Sequence, residues 1–131
     1  MQLVDTNIIS ELLRPRPNPA VQAWANRQEE FALAAISVEE SMYGLVRNRN
    51  PALLEAYQTL LSTRCHVLPM SVEIAHRAGT LRGDFSLRGM TRSQADMLIA
   101  ATAQQHNLTL VTRNTRDFEG CGISLLNPFT D

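Results

Sequence analysis

Apolar residues recur along this chain in two forms. Short uninterrupted runs alternate with stretches in which they return every three or four positions. The runs at 2–5, Phe31–Ile36, Cys65–Leu68, Thr109–Val111 and Ile123–Leu126 have strand length. Helical spacing fills the intervals. Ile8–Leu13 predicts a helix that Pro15-Arg16-Pro17 stops, and Pro19–Arg27 predicts a second with Val21 and Trp24 on one face. Ser37-Val38-Glu39-Glu40 has the form of a capping box leading into Met42, Tyr43, Leu45 and Val46. Asn50-Pro51 opens a helix carrying Leu53, Leu54, Tyr57, Leu60 and Leu61. Ser71 and Glu73 open another through Ala75, Ala78 and Leu81, after which Asp84–Gly89 predicts a polar loop. The last helix is expected from Ala95 to His106, followed by a loop over Thr112–Gly120 beyond the Thr109–Val111 strand.

Strands that alternate with helices, and that are apolar on both faces, predict an α/β fold. The expected form is a three-layer α/β/α sandwich with a parallel central sheet of four to five strands. With 131 residues, no repeat and no linker, residues 1–131 are expected to form a single domain.

Composition narrows the partners. A hydrophobic fraction of 44 % with 19 % charged residues excludes disorder as the main state. No apolar run approaches the ~20 residues of a membrane span. The N-terminal MQLVDTN lacks the basic start of a secretory signal. Cys65 and Cys121 have neither disulfide-framework nor zinc spacing, so a reduced, cytoplasmic protein with two core thiols is expected. The net charge of −1 provides no global basic field. Yet all twelve basic residues are arginine, which suits a phosphodiester partner and equally suits GC-rich codon usage.

Ligands of open α/β sheets bind beyond the carboxyl ends of the strands. Asp5 ends the first strand, Glu40 is expected in the first turn after the second, and Asn114 and Asp117 follow the fourth. Asp96 lies near the start of a helix that precedes a strand, so topology alone does not bring it to that rim. Each acid has a local alternative: Glu40 as a capping-box carboxylate, Asp96 at a helix dipole, Asp117 in a turn. Together they point to a cation, because carboxylates about 4 Å apart repel by roughly 4 kcal/mol per pair at an effective dielectric of 20. An all-oxygen set selects Mg²⁺ or Mn²⁺ over zinc. His66, His76 and His106 fall in a strand, a helix and a helix end, and are read as structural.

Four segments carry a resemblance: LVDTNIISE at 3–11, SVEESMYG at 37–44, ADMLIAATA at 95–103 and LVTRNTRDF at 110–118. In order and spacing they resemble the motif blocks of PIN-domain ribonucleases, most like the VapC and FitB toxins of bacterial toxin–antitoxin pairs. The terminal LLNPF is also similar to the FitB type. The resemblance implies a PIN-like fold and a Mg²⁺-dependent endoribonuclease, with Mn²⁺ as a substitute. Asp5, Glu40 and Asp96 match the three main acids; Glu40 rather than Glu39 stands four residues before Gly44. The fourth position stays open between Asn114 and Asp117. Thr112 matches a hydroxyl beside the metal, Asn7 and Glu11 are candidate outer partners, and Arg113 is the candidate phosphate clamp.

The resemblance further implies RNA as substrate, a homodimer, and a cognate antitoxin through which alone operator DNA would be bound. An antitoxin tail is expected to place an arginine near the acids and to cover apolar positions among Ile8, Leu12, Tyr43, Val46 and Leu54. Two other functions compete. A phosphatase of the DxD type meets Asn7 where the second Asp should stand, and no lysine for the phosphate. A catalytically silent PIN-fold binding module is opposed by the presence of Asp5, Glu40 and Asp96.

Overall fold

The computed structural model describes residues 1–131. Five of the apolar runs become strands: β1 (Leu3–Val4), β2 (Phe31–Ala34), β3 (Cys65–Leu68), β4 (Leu110–Val111) and β5 (Leu125–Leu126). All neighbours pair in parallel, in the order β3-β2-β1-β4-β5. The helices are α1 (Thr6–Leu12), α2 (Pro19–Asn26), α3 (Ala35–Asn48), α4 (Pro51–Arg64), α5 (Val72–Leu87) and α6 (Gln94–His106). The chain builds outward from β1 through β2 to β3, then returns to β4 on the other side of β1. The crevice beyond β1 and β4 is therefore the topological switch point, where open α/β sheets bind ligands.

Strand side chains alternate between two cores, as a sheet buried on both faces requires. Leu3, Ala32, Ala34 and Leu110 join residues of α5 and α6, including Ile74, Phe85 and Met97. Val4, Phe31, Leu33 and Val111 join residues of the other four helices, including Ile8, Trp24, Leu45 and Tyr57. The α/β/α sandwich is thus the observed architecture. Cys121 belongs to the first core and Cys65 packs against the second, so the two thiols lie on opposite faces and stay free. No helix is long and apolar enough to cross a membrane.

Several boundaries differ from the sequence expectation. β2 stops at Ala34, and α3 starts at once with Ala34 as a cap that offers no side-chain bond. Ser37 is fully buried and its hydroxyl has no partner, so the expected capping box does not form. Burial drew the helix start back into the apolar run. Glu40 consequently lies past the first turn. The expected loop over Asp84–Gly89 is instead the last turn of α5 and its exit, because Phe85 is buried and holds the helix down through Leu87. The Thr112–Gly120 loop contains a 3₁₀ turn over Thr115–Phe118, and the last strand shortens to two residues. His66, His76 and His106 are exposed on β3, α5 and the end of α6.

Candidate active site

Asp5 leaves the buried β1 strand in an extended conformation and caps α1. Its Oδ1 accepts from the Thr6 backbone N–H at 2.7 Å. Its Oδ2 accepts from the Thr112 hydroxyl at 2.8 Å and from Asn7 Nδ2 at 3.2 Å. Asp5 is 6 % exposed and Thr112 fully buried. The Thr112 oxygen also accepts from the Asn114 N–H at 3.0 Å, and Asn7 Oδ1 accepts from the Arg113 N–H at 3.3 Å. The two strand ends that flank the switch point are therefore tied through one carboxylate.

Glu40 reaches the same rim from α3. Its Oε1 accepts from the Thr6 hydroxyl at 2.8 Å, across 34 residues of chain. Asp96 stands in the first turn of α6, where Ser93 caps the helix by accepting from the Asp96 N–H at 3.0 Å. That helix packs beneath the rim because Met97 through Ala103 are all buried. Its N-terminus, and Asp96 with it, comes up beside Asp5. Asp117 lies on the exposed 3₁₀ turn, and its carboxylate makes no hydrogen bond.

The charges on these acids reach one another. Burial pushes the Asp5 carboxyl from 3.8 up to about 6; bonds from Thr112 and Thr6 oppose this, and the charges of Asp96 and Glu40 add to it. Asp96 is also raised, first by burial, with Asp117 and Glu40 adding and Ser93 and Arg92 opposing. Asp5, Glu40, Asp96 and Asp117 thus form one connected acidic field. They are more open than the expected carboxylates about 4 Å apart: no three of them are grouped closely enough to hold a metal ion by themselves. That spread fits a hard cation that keeps several waters and takes one or two carboxylates directly, as Mg²⁺ does. The oxygen-only donor set and the lifted Asp5 carboxyl both suit such an ion.

The other expected site residues divide. Thr112 and Asn7 bond to Asp5. Asn114 is exposed and meets the site through its backbone. Arg113 is exposed, and its guanidinium lies 4.6 Å over the Phe129 ring in the C-terminal tail. Glu11 does not join the acids. It is buried, and its carboxylate accepts from the Asn18 N–H at 2.9 Å and from Arg14 at 3.3 Å, which ties down the α1–α2 turn. Two contributors went unread in the sequence. Thr6 bridges Asp5 and Glu40, and only its place beside Asp5 pointed to it. Arg92 had no local signal at all.

A cleft lies between α1, α3 and α4, lined by Ile9, Leu13, Leu45 and Leu53, with Thr6 and Glu40 at one end. The apolar positions expected on this face fall differently. Ile8 is in the core, while Tyr43 and Val46 are 61 % and 63 % exposed.

Comparison with known proteins gives consistent matches. The family model described as "PIN domain" matches residues 3–120. Toxin FitB of Neisseria gonorrhoeae is 35 % identical over the whole of both chains. A chain in the crystal structure of FitAcB from the same organism superposes with a TM-score of 0.87, again covering all of both chains. VapC ribonuclease Y4jK of Sinorhizobium fredii is 33 % identical across 98 % of each chain. A chain of a toxin–antitoxin complex from Klebsiella pneumoniae is 31 % identical over 98 % of each, with a TM-score of 0.77.

Proposed function

This chain belongs to the PIN domain family, and on that premise we propose that it is the endoribonuclease toxin of a toxin–antitoxin pair. Residues 1–131 act as one PIN domain that hydrolyses RNA phosphodiester bonds in the cytoplasm with Mg²⁺, for which Mn²⁺ substitutes. Its relatives, a toxin, a VapC ribonuclease and a chain of a toxin–antitoxin complex, support the class. The observation that carries the mechanism is Asp5. A carboxylate held in a buried setting by three hydrogen bonds, with two further acids raising its charge cost, is built to meet a cation.

Of Asp5, Glu40, Asp96 and Asp117, one or two would hold the ion directly and the others through its waters. A bound divalent cation supplies water activation near neutral pH and charge neutralisation on the phosphate. The chain supplies placement. Thr112 and Asn7 fix the Asp5 carboxylate from one side, and Thr6 sets the spacing between Asp5 and Glu40. His66, His76 and His106 lie on β3, α5 and the C-terminal end of α6, and none contributes to the charge environment of Asp5 or Asp96, so the acids are the ionisable groups the chain brings to the reaction. Arg113 stands at the rim, where swinging off Phe129 would free it for phosphate.

A cognate antitoxin is the protein partner, and operator DNA is engaged only through it. An antitoxin segment lying in the α1–α3–α4 cleft ends at Glu40, where an arginine would meet the acids. A homodimer is the expected assembly. The test is cleavage of RNA by purified protein with Mg²⁺ and with EDTA. Cleavage leaving 5′-phosphate ends should require the ion. Undiminished cleavage in EDTA would refute this mechanism.

A further inference from the structure

Arg92 is half-buried in the approach to α6, and its guanidinium spends its donors on the backbone. Nη1 donates to the carbonyls of Arg116, at 3.2 Å, and of Asp117; Nη2 donates to the carbonyl of Glu119 at 3.0 Å. The flat of the group lies 4.4 Å over the Phe85 ring, the residue whose burial extends α5. The Arg116 carbonyl also accepts from the Glu119 N–H at 3.4 Å, while those of Asp117 and Glu119 have no backbone donor, so helical bonding runs out here and the free acceptors favour a cation. A planar fork with five N–H groups can serve three acceptors at once; an ammonium is a single point.

The surroundings make this a positioning device rather than an incidental contact. Phe118 anchors the turn in the core, and Gly120, at φ +83°, carries the chain across Phe85 with its Cβ position 3.4 Å from the ring. Arg92 closes the other side. Although it lies among acids, it forms no ion pair with any of them. The Asp117 carboxylate is left without a hydrogen bond while its own backbone is held.

We infer that Arg92 is the positioning residue for the fourth acid: by gripping the 116–119 carbonyls it fixes the backbone that carries Asp117 and leaves the carboxylate free for the cation. This rests on the cation-binding reading of the site, but the grip itself can be measured without a metal.

The test uses the full chain with Arg92→Leu, which keeps the stem on Phe85, and Arg92→Lys, which keeps the charge. Amide hydrogen exchange should accelerate about tenfold or more over residues 115–121 in both variants, with the sheet unchanged. Mn²⁺ affinity, read by electron paramagnetic resonance, should weaken by about as much as in Asp117→Asn. Adding Asp117→Asn to either variant should change it by less than about twofold, because the two residues act as one unit. If Arg92→Leu does not fold, Arg92→Lys carries the same cycle. Unchanged exchange at 115–121, or additive effects on Mn²⁺, would overturn the inference. If the unsubstituted protein binds no Mn²⁺, the cation reading fails, and the exchange result alone decides whether Arg92 holds the turn.

Discussion

Asp5 and Asp117 stand at opposite ends of one acidic field and are held in opposite ways. Asp5 is gripped by its own oxygens: Thr112, Asn7 and the Thr6 N–H all bond to the carboxylate, inside a nearly sealed strand end. Asp117 is held by its backbone on an exposed turn, and its carboxylate bonds to nothing. The first arrangement gives precision and leaves a charge poorly solvated. The second costs the fold little and leaves the ligand adjustable. A site built from both has one rigid reference point and one group that can follow the ion or the phosphate.

The largest effect expected from this contrast is on Asp5. Its carboxyl rises from 3.8 to about 6 on folding, so the folded state binds the proton more tightly than the unfolded chain. Stability is therefore fully present below about pH 4, falls as pH rises toward 6, and stays lowered above. The rise corresponds to about 3 kcal/mol. In EDTA, Asp5→Asn should be more stable than the native chain by up to that amount at pH 7.5, and by nearly nothing at pH 3.5. Urea titrations at the two pH values measure this, and cleavage by Asp5→Asn should be lost. A substitution that destabilises equally at both pH values would make Asp5 a structural residue.

A smaller effect is expected at Thr112. Replacing it with valine removes the bond that most lowers the Asp5 carboxyl and orphans the Asn114 N–H. Stability should drop by about 1–3 kcal/mol, and a carbon-detected titration of Asp5 should move further upward. The smallest stability change belongs to Asp117→Asn, within about 0.5 kcal/mol of the native chain. It should nevertheless weaken Mn²⁺ binding more than Asn114→Ala, since only Asp117 brings a charge. The reverse order would exchange the roles of the two residues.

The architecture was legible because it follows from periodicity. Runs such as Phe31–Ala34 are buried on both faces, and the helices return at 3.6-residue spacing. The acids at 5, 40 and 96 were legible through motif and order. Features set by burial were not. Ser37 and Glu40 have the right spacing for a local cap, but Ser37 is taken by the core and Glu40 by Thr6. Asp84, Ser86 and Gly89 read as a loop, while a single buried Phe85 keeps that stretch helical. Glu11, expected as an outer partner of the site, is a turn tie. Arg92 and Thr6 act through partners far along the chain, which no local pattern reports.

The central strand is also made before every other strand of the sheet. β1 needs β4 beside it, and Thr112 closes on Asp5 from 107 residues further on. A ribosome adding about 5–20 residues per second covers that distance in roughly 5–20 s. Throughout that interval the nascent chain holds Asp5 without Thr112, and for its later part Glu40 without Asp117. A site for cutting RNA is thus incomplete while the machine that reads RNA is still making it, a delay written into strand order.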